Sequence, residues 1–243
     1  NYLHTIKSTE VIRERFPNIK LVAGGTHITD NPDEPLSLET FDYLLMGEGE
    51  TAIQQLIDEG DKAPKQIFGH WGDVDSYPLP DYDAVDMKKY SMLLEGERCA
   101  NIVASRGCVY NCAYCGSAKI KKWRPRNIEK VIEEMRLLYD KYDFNNFYFG
   151  DDIFTKDRKR TIKLCDAMIK EFKGKIKWRI PTRADLVDKE LLQKMYDAGC
   201  RVIGLGCESG SHKVLKAIHK GMTPEQNLQV TRWCKEIGIK IKG

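Results

Sequence analysis

Between residues 100 and 241, short apolar runs alternate with longer amphipathic ones, and this alternation constrains the fold more than any other feature of the sequence. Strands are expected at 100–105, 147–149, 176–180, 202–205 and 239–241, and helices at 128–142, 158–172, 189–198, 212–218 and 224–237. Parallel strands need long crossover connections, so this order predicts serial βα units. Five such strands favour a partial or full (β/α) barrel of the TIM type over a flat sheet, with the chain ending as its fifth barrel strand begins.

Upstream, residues 9–15 suit a short helix and 20–23 a strand that enters the turn Gly24-Gly25. The run FDYLLM over 41–46 leads into GEGE, and 51–58 has helical periodicity. This reads as the later half of a small, doubly wound, Rossmann-like sheet. The stretch SYPLPDYDAVD, with Pro78 and Pro80, has no sustained apolar period and reads as a connector. The expected organisation is therefore an α/β unit over 1–66, a linker over 67–98 and an α/β barrel over 99–243.

A hydrophobic content of 42% over 243 residues is enough for a substantial core. The charges, 39 Lys and Arg against 36 Asp and Glu, are interspersed and give no field that selects nucleic acid or a membrane surface. The longest apolar runs fall far short of the roughly 20 residues that span a bilayer. The first residues carry no secretory pattern, and the missing initiator Met points to a fragment. Eight cysteines in a chain with ample core and no export pattern suit a reducing cytoplasm rather than a disulfide framework. Cys99, Cys165, Cys200, Cys207 and Cys234 are scattered among apolar neighbours, as small buried residues usually are.

The remaining three cysteines are clustered. Strand NIVAS runs into RGCVYNCAYCGS, placing Cys108, Cys112 and Cys115 on the loop after the first barrel strand, the catalytic face of such barrels. Three soft thiolates on one short loop suit iron-sulfur, zinc or cuprous ions. A structural zinc site would want a fourth Cys or His at finger spacing, and none follows before Cys165. In a four-iron cubane, three thiolates leave one iron open to an outside ligand.

CxxxCxxC after a first strand, with Tyr114 just before the last cysteine, resembles the radical S-adenosylmethionine superfamily. The resemblance implies a 4Fe-4S cluster on Cys108, Cys112 and Cys115, with S-adenosylmethionine on the open iron. It also implies reductive cleavage to a 5'-deoxyadenosyl radical, and Tyr114 near the adenine. FYFGDD places Gly150, Asp151 and Asp152 where the family has the Gly-Gly-Glu that approaches the methionine amino group; a helix cap or turn is the plainer reading. Arg183 in PTRADLV stands where a guanidinium could fork onto the cofactor carboxylate, or pair with Asp185 or Asp188. GLGCESGS resembles the family's GxESGS segment and implies Glu208 and Ser209 at the cofactor ribose or methionyl group.

KLVAGGTH and FDYLLMGEGET, ahead of a proline-rich linker and the cysteine loop, resemble the second half of the cobalamin-binding domain found in one subgroup of that superfamily. Taken singly, GxGE is commonly a turn before a helix, and His27 more often a turn residue than a ligand. Cobalamin becomes a further expected cofactor, although the Asp-x-His-x-x-Gly segment that supplies its lower ligand is expected upstream of Asn1. The subgroup implies methylation, cyclisation or oxidation of an organic substrate, lipid- or tetrapyrrole-like molecules included, and an electron donor of the flavodoxin or ferredoxin kind. A methylthiotransferase shares the cluster loop but needs three further cysteines in an amino-terminal domain, and this chain has none before Cys99. A zinc-stabilised binding module for RNA would show a basic patch with exposed aromatics.

Overall fold

Three parallel strands build the sheet of the N-terminal unit: β1 (Val22–Gly24), β2 (Tyr43–Gly47) and β3 (Gln66–Gly69), in that spatial order. They alternate with helices α1 (Tyr2–Arg15), α2 (Thr26–Asp30), α3 (Pro35–Thr40) and α4 (Gly49–Glu59). The computed structural model describes residues 2–90, 92–119 and 122–242, and its contacts divide the chain between Tyr77 and Pro78. Leu44 packs with Ile6, Leu21, Ile28 and Phe41 in one cluster, while Tyr43 and Leu45 pack with Ala52, Leu56 and Ile67 in another. Because β2 is covered on both faces, FDYLLM shows a continuous apolar run instead of alternation. Helix α1 starts well before the expected residue 9, since only Ile6 and Thr9 are buried and its first turns carry no periodic apolar signal.

Parts of the segment 67–98, expected as a linker, form short regular elements. Its first residues complete β3, which pairs Leu45 with Ile67 and Gly47 with Gly69. A strand this short leaves no period to read. A Cβ at Gly69 would lie 1.9 Å from the Glu48 carbonyl oxygen. Gly69→Ala is therefore expected to destabilise this unit by about 2–3 kcal/mol, measured as a lower urea midpoint.

In the second unit, β4 (Leu93–Leu94) and β5 (Glu97–Arg98) form a hairpin, followed by β6 (Ala100–Ile102), then β7 (Ser105–Arg106) paired antiparallel with β8 (Arg124–Pro125). Then come α5 (Ile128–Tyr142), β9 (Asn146–Phe149), α6 (Arg158–Phe172), β10 (Lys177–Thr182), α7 (Lys189–Asp197), β11 (Cys200–Leu205), α8 (His212–Ala217), α9 (Pro224–Ile237) and β12 (Lys240–Lys242). The sheet order is β6-β9-β10-β11-β12, every pair parallel and each neighbour the next in sequence along the barrel. This is the serial βα architecture of a partial barrel. One face is closed by helices: Phe147, Trp178, Ile180 and Ile203 are buried with Leu164 and Met168 of α6 and Leu191 and Met195 of α7. Helix α9 begins at a capping box between Thr223 and Gln226 and stops at Gly238, whose φ of 96° only glycine adopts readily.

The expected first barrel strand, 100–105, is broken into β6 and β7. The cause is a carboxylate: Asp151 accepts a hydrogen bond from Ala104 N at 2.8 Å and draws the chain out of the parallel ladder.

Candidate active site

The C-terminal ends of β6, β9, β10 and β11 carry the residues singled out from the sequence, and the structure ties them into three groups. The first holds the base of the cysteine loop. Asp151, only 4% exposed, accepts from Ala104 N and, at 2.5 Å, from Ser105 Oγ, which in turn accepts from Trp123 Nε1 at 2.9 Å. Burial pushes the Asp151 carboxyl up to about 6, against the opposing effect of those donors and of Arg160. Asp152 accepts from Gly107 N at 2.9 Å and Ser117 Oγ at 2.5 Å, clasping the loop on both sides of its cysteines. Both carboxylates thus act on the loop itself. Gly150 lets the chain turn beside Asn101, whose Oδ1 would lie 2.8 Å from an added Cβ.

The second group surrounds Cys112. Arg183, 6% exposed, forks onto Asp185 at 2.9 and 2.8 Å, donates to the Lys220 carbonyl at 2.6 Å and stacks over the Tyr110 ring at 3.7 Å. Its Nη1 donates to Cys112 Sγ at 3.8 Å. Arg183 makes an ion pair with Asp185, whereas Asp188 caps α7 and pairs with Arg158. Burial opposes the charge of Arg183, and Asp185 more than offsets it, holding the guanidinium above its usual value.

In the third group, Lys220 is the member that was not legible in the sequence. Lys220, 5% exposed, donates to Glu208 Oε1 at 2.8 Å and to the Tyr114 hydroxyl at 3.1 Å. Glu208 sits in the left-handed region at φ 58°, and its carboxyl lies below the usual range because the Lys220 and Tyr114 bonds outweigh partial burial. Burial and the adjoining Glu208 push the Tyr114 phenol up. Gly206 makes room: a Cβ there would stand 2.9 Å from Lys220 Nζ and 3.0 Å from Glu208 Oε1. A lysine in a turn between two helices gives no pattern from which such a role could be read. Ser209 is occupied locally, its Oγ accepting from Ser211 N at 3.1 Å.

Cys108 is half-buried, Cys112 buried and Cys115 exposed, all as free thiols. Burial, the nearby Asp152 and then the thiols of Cys115 and Cys112 raise the Cys108 thiol. Among the described residues no three His, Cys, Asp or Glu side chains converge as ligands of a single ion. The ligands of a cubane need not do so, because each binds a different iron. A soft, all-sulfur donor set on one loop fits an iron-sulfur cluster.

In the N-terminal unit Thr29 of α2 bridges the two glycine segments, its Oγ1 accepting from Gly47 N at 3.1 Å and donating to the Gly25 carbonyl at 3.0 Å. Glu48 of GEGE is buried and accepts from Tyr77 Oη at 2.8 Å and Gly72 N at 3.3 Å, so it fastens the segment after β3. His27 stacks on Tyr2 at 4.0 Å. No helix of the described residues is long and apolar enough to cross a membrane.

The model of the radical SAM superfamily matches residues 102–243, and the chain belongs to that family. Membership brings a 4Fe-4S cluster and S-adenosylmethionine as the cofactors of its barrel. Within the family, the chain is 30% identical to an uncharacterized methyltransferase of Pyrococcus horikoshii, over 93% of this chain and 53% of that one. It is 29% identical to the anaerobic magnesium-protoporphyrin IX monomethyl ester cyclase of Cereibacter sphaeroides, over 96% and 42%. The chain spans about half the length of the curated relatives it matches. Among solved structures, the cobalamin-dependent S-adenosylmethionine radical enzyme OxsB shares the fold with a TM-score of 0.75 at 22% identity, over 91% of this chain and 35% of that one. The family match replaces the zinc-stabilised binding module.

Proposed function

We propose that Cys108, Cys112 and Cys115 hold the 4Fe-4S cluster and that the surrounding strand ends bind S-adenosylmethionine for radical methylation, cyclisation or oxidation of an organic substrate. The observation that carries this is the cysteine loop: three free thiols hung from the first barrel strand, with a buried guanidinium donating to one of them. The chemistry supplied there with both cofactors bound is one-electron cleavage of the sulfonium to a 5'-deoxyadenosyl radical. The N–H of Arg183 stabilises negative charge on the Cys112 sulfur, one of the levers that set a cluster's potential. Glu208 and Tyr114, held together by Lys220, present an acceptor and an aromatic face to the nucleoside. Asp151 and Asp152 keep the loop in place beneath them.

Lys220→Met is expected to raise the KM for S-adenosylmethionine about tenfold, the worth of one charge-assisted hydrogen bond, with kcat changed less. Lys220→Arg should restore part of it. The decisive experiment is electron paramagnetic resonance of the anaerobically reconstituted, dithionite-reduced protein. A cluster signal that shifts on adding S-adenosylmethionine supports the reading, and zinc in place of iron would sink it.

For the N-terminal unit we propose a cobalamin-binding role. Gly25, just after β1, and Gly49, the first residue of α4, have no heavy atom within 4 Å of where a Cβ would sit, leaving bare backbone open to a large ring or its side arms. Names of relatives that denote methyltransferases and cyclases support the reaction classes. A reducing compartment suits eight free thiols, and an external flavodoxin- or ferredoxin-like protein would deliver the electron.

A further inference from the structure

The face of the barrel sheet opposite the helices is cationic. Residues in register across parallel strands share a face, and one such row runs Asn101, Tyr148, Arg179, Val202 and Lys240. The next row toward the C-terminal ends includes Pro181, Gly204 and Lys242. Three of these residues are cationic and none is a carboxylate. Lys240 is answered from outside the sheet by Glu95. Among the described residues Arg179 contacts no acid: its Nη2 donates only to Met92 Sδ, at 4.0 Å, and its Nε is buried with no hydrogen-bond partner.

Arg179 is nevertheless held in place. Its guanidinium lies over the Tyr148 ring at 4.2 Å. Stacking uses the flat face of the cation and leaves its in-plane N–H donors free, the arrangement suited to a planar or tetrahedral oxyanion. Only the Nε of this half-buried side chain is shut off from solvent, so its outer Nη donors are the ones open to a ligand. Just above it in register stand Pro181 and Gly204, neither of which carries a long side chain.

We infer that Arg179 is a substrate-binding residue that takes a carboxylate, phosphate or phosphonate group of the substrate inside the barrel. The inference rests on the reading above, because that reading places the reaction at the strand ends. Arg179 lies three residues before the end of β10 at Thr182. At about 3.3 Å per residue the anion sits roughly 10 Å below the mouth. The substrate is thus an organic anion with its reacting carbon about that far from its charged group. Lys242, one level nearer the mouth, adds a second cation on the same face.

The test uses the full chain with its cluster reconstituted, titrated calorimetrically with phenylphosphonate and, separately, with neutral benzyl alcohol. Saturable binding of phenylphosphonate alone is expected, weakened at least about tenfold in Arg179→Gln and less in Arg179→Lys, which keeps the charge but not the fork. Equal affinity in Arg179→Gln, no saturable binding, or equal binding of the alcohol would each overturn the proposal. The S-adenosylmethionine-dependent resonance shift is recorded on the same samples. Its presence in Arg179→Gln shows the variant folded and the radical site intact, so a failed anion test then counts against Arg179 alone. Its absence from the unsubstituted protein counts against the radical reading instead.

Discussion

Cys112→Ala is expected to abolish cluster retention and S-adenosylmethionine cleavage together, while leaving the fold in place. Cys112 is buried under Arg183 and belongs to the loop, not to the barrel core, so its loss removes a proposed ligand and one weak hydrogen bond. The control is Cys165→Ala. That thiol, on α6, is fully buried in the core, burial pushes it up to about 12, and it takes no part in the loop. Cys165→Ala should cost about 1 kcal/mol or more through the small cavity and leave iron content unchanged. Iron analysis with circular dichroism separates the two. A Cys112→Ala protein with full iron content and turnover would remove Cys112 from the ligand set.

The second large effect belongs to Asp151. Asp151→Ala strips the acceptor from Ala104 N and Ser105 Oγ in a buried site, and is expected to cost about 2–4 kcal/mol of stability and to loosen the cluster. Asp151→Asn keeps an acceptor for Ala104 N, removes the charge and gives up the second acceptor, the one that meets Ser105 Oγ. Because the folded carboxyl titrates near 6 instead of 3.8, the folded state holds the proton more tightly than the unfolded chain. The stability gained this way is complete below about pH 3.8 and is lost as pH rises through about 6, a change of roughly 3 kcal/mol. Asp151→Asn lacks this slope. Its stability relative to the unsubstituted protein should climb between pH 4 and 6 and level off above, as followed by urea unfolding across pH. Parallel profiles would show that the carboxyl does not titrate there.

The barrel strands and helices were legible because each pairs one buried face with a regular period. The breaks in the pattern trace to single contacts over long sequence separations. Asp151 divides the first strand by bonding Ala104, 47 residues earlier, and nothing in FYFGDD distinguishes that anchor from a cofactor contact. Arg183 was recognisable as a residue at a strand end, but its choice of Asp185 depends on burial and on the Lys220 carbonyl. Lys220 itself lies 106 residues from Tyr114, and no local pattern links them. The cysteines were readable from spacing because their geometry is local. The lysine that organises the neighbouring acid and phenol is held by tertiary structure.

The β7–β8 pair gives the cysteine loop a property that the thiols alone would not have. By joining Arg106 to Arg124 it closes residues 107–123 into a ring before any iron arrives. Most of the chain entropy of bringing the loop ends together is then spent in folding, not in metal uptake. Once the first thiolate is bound, the other two meet the cluster at an effective concentration on the order of millimolar or above. Cluster assembly on this loop should therefore proceed as a single concerted uptake with few partly ligated species, and any change that unpairs Ser105 from Pro125 would dilute all three cysteines at once.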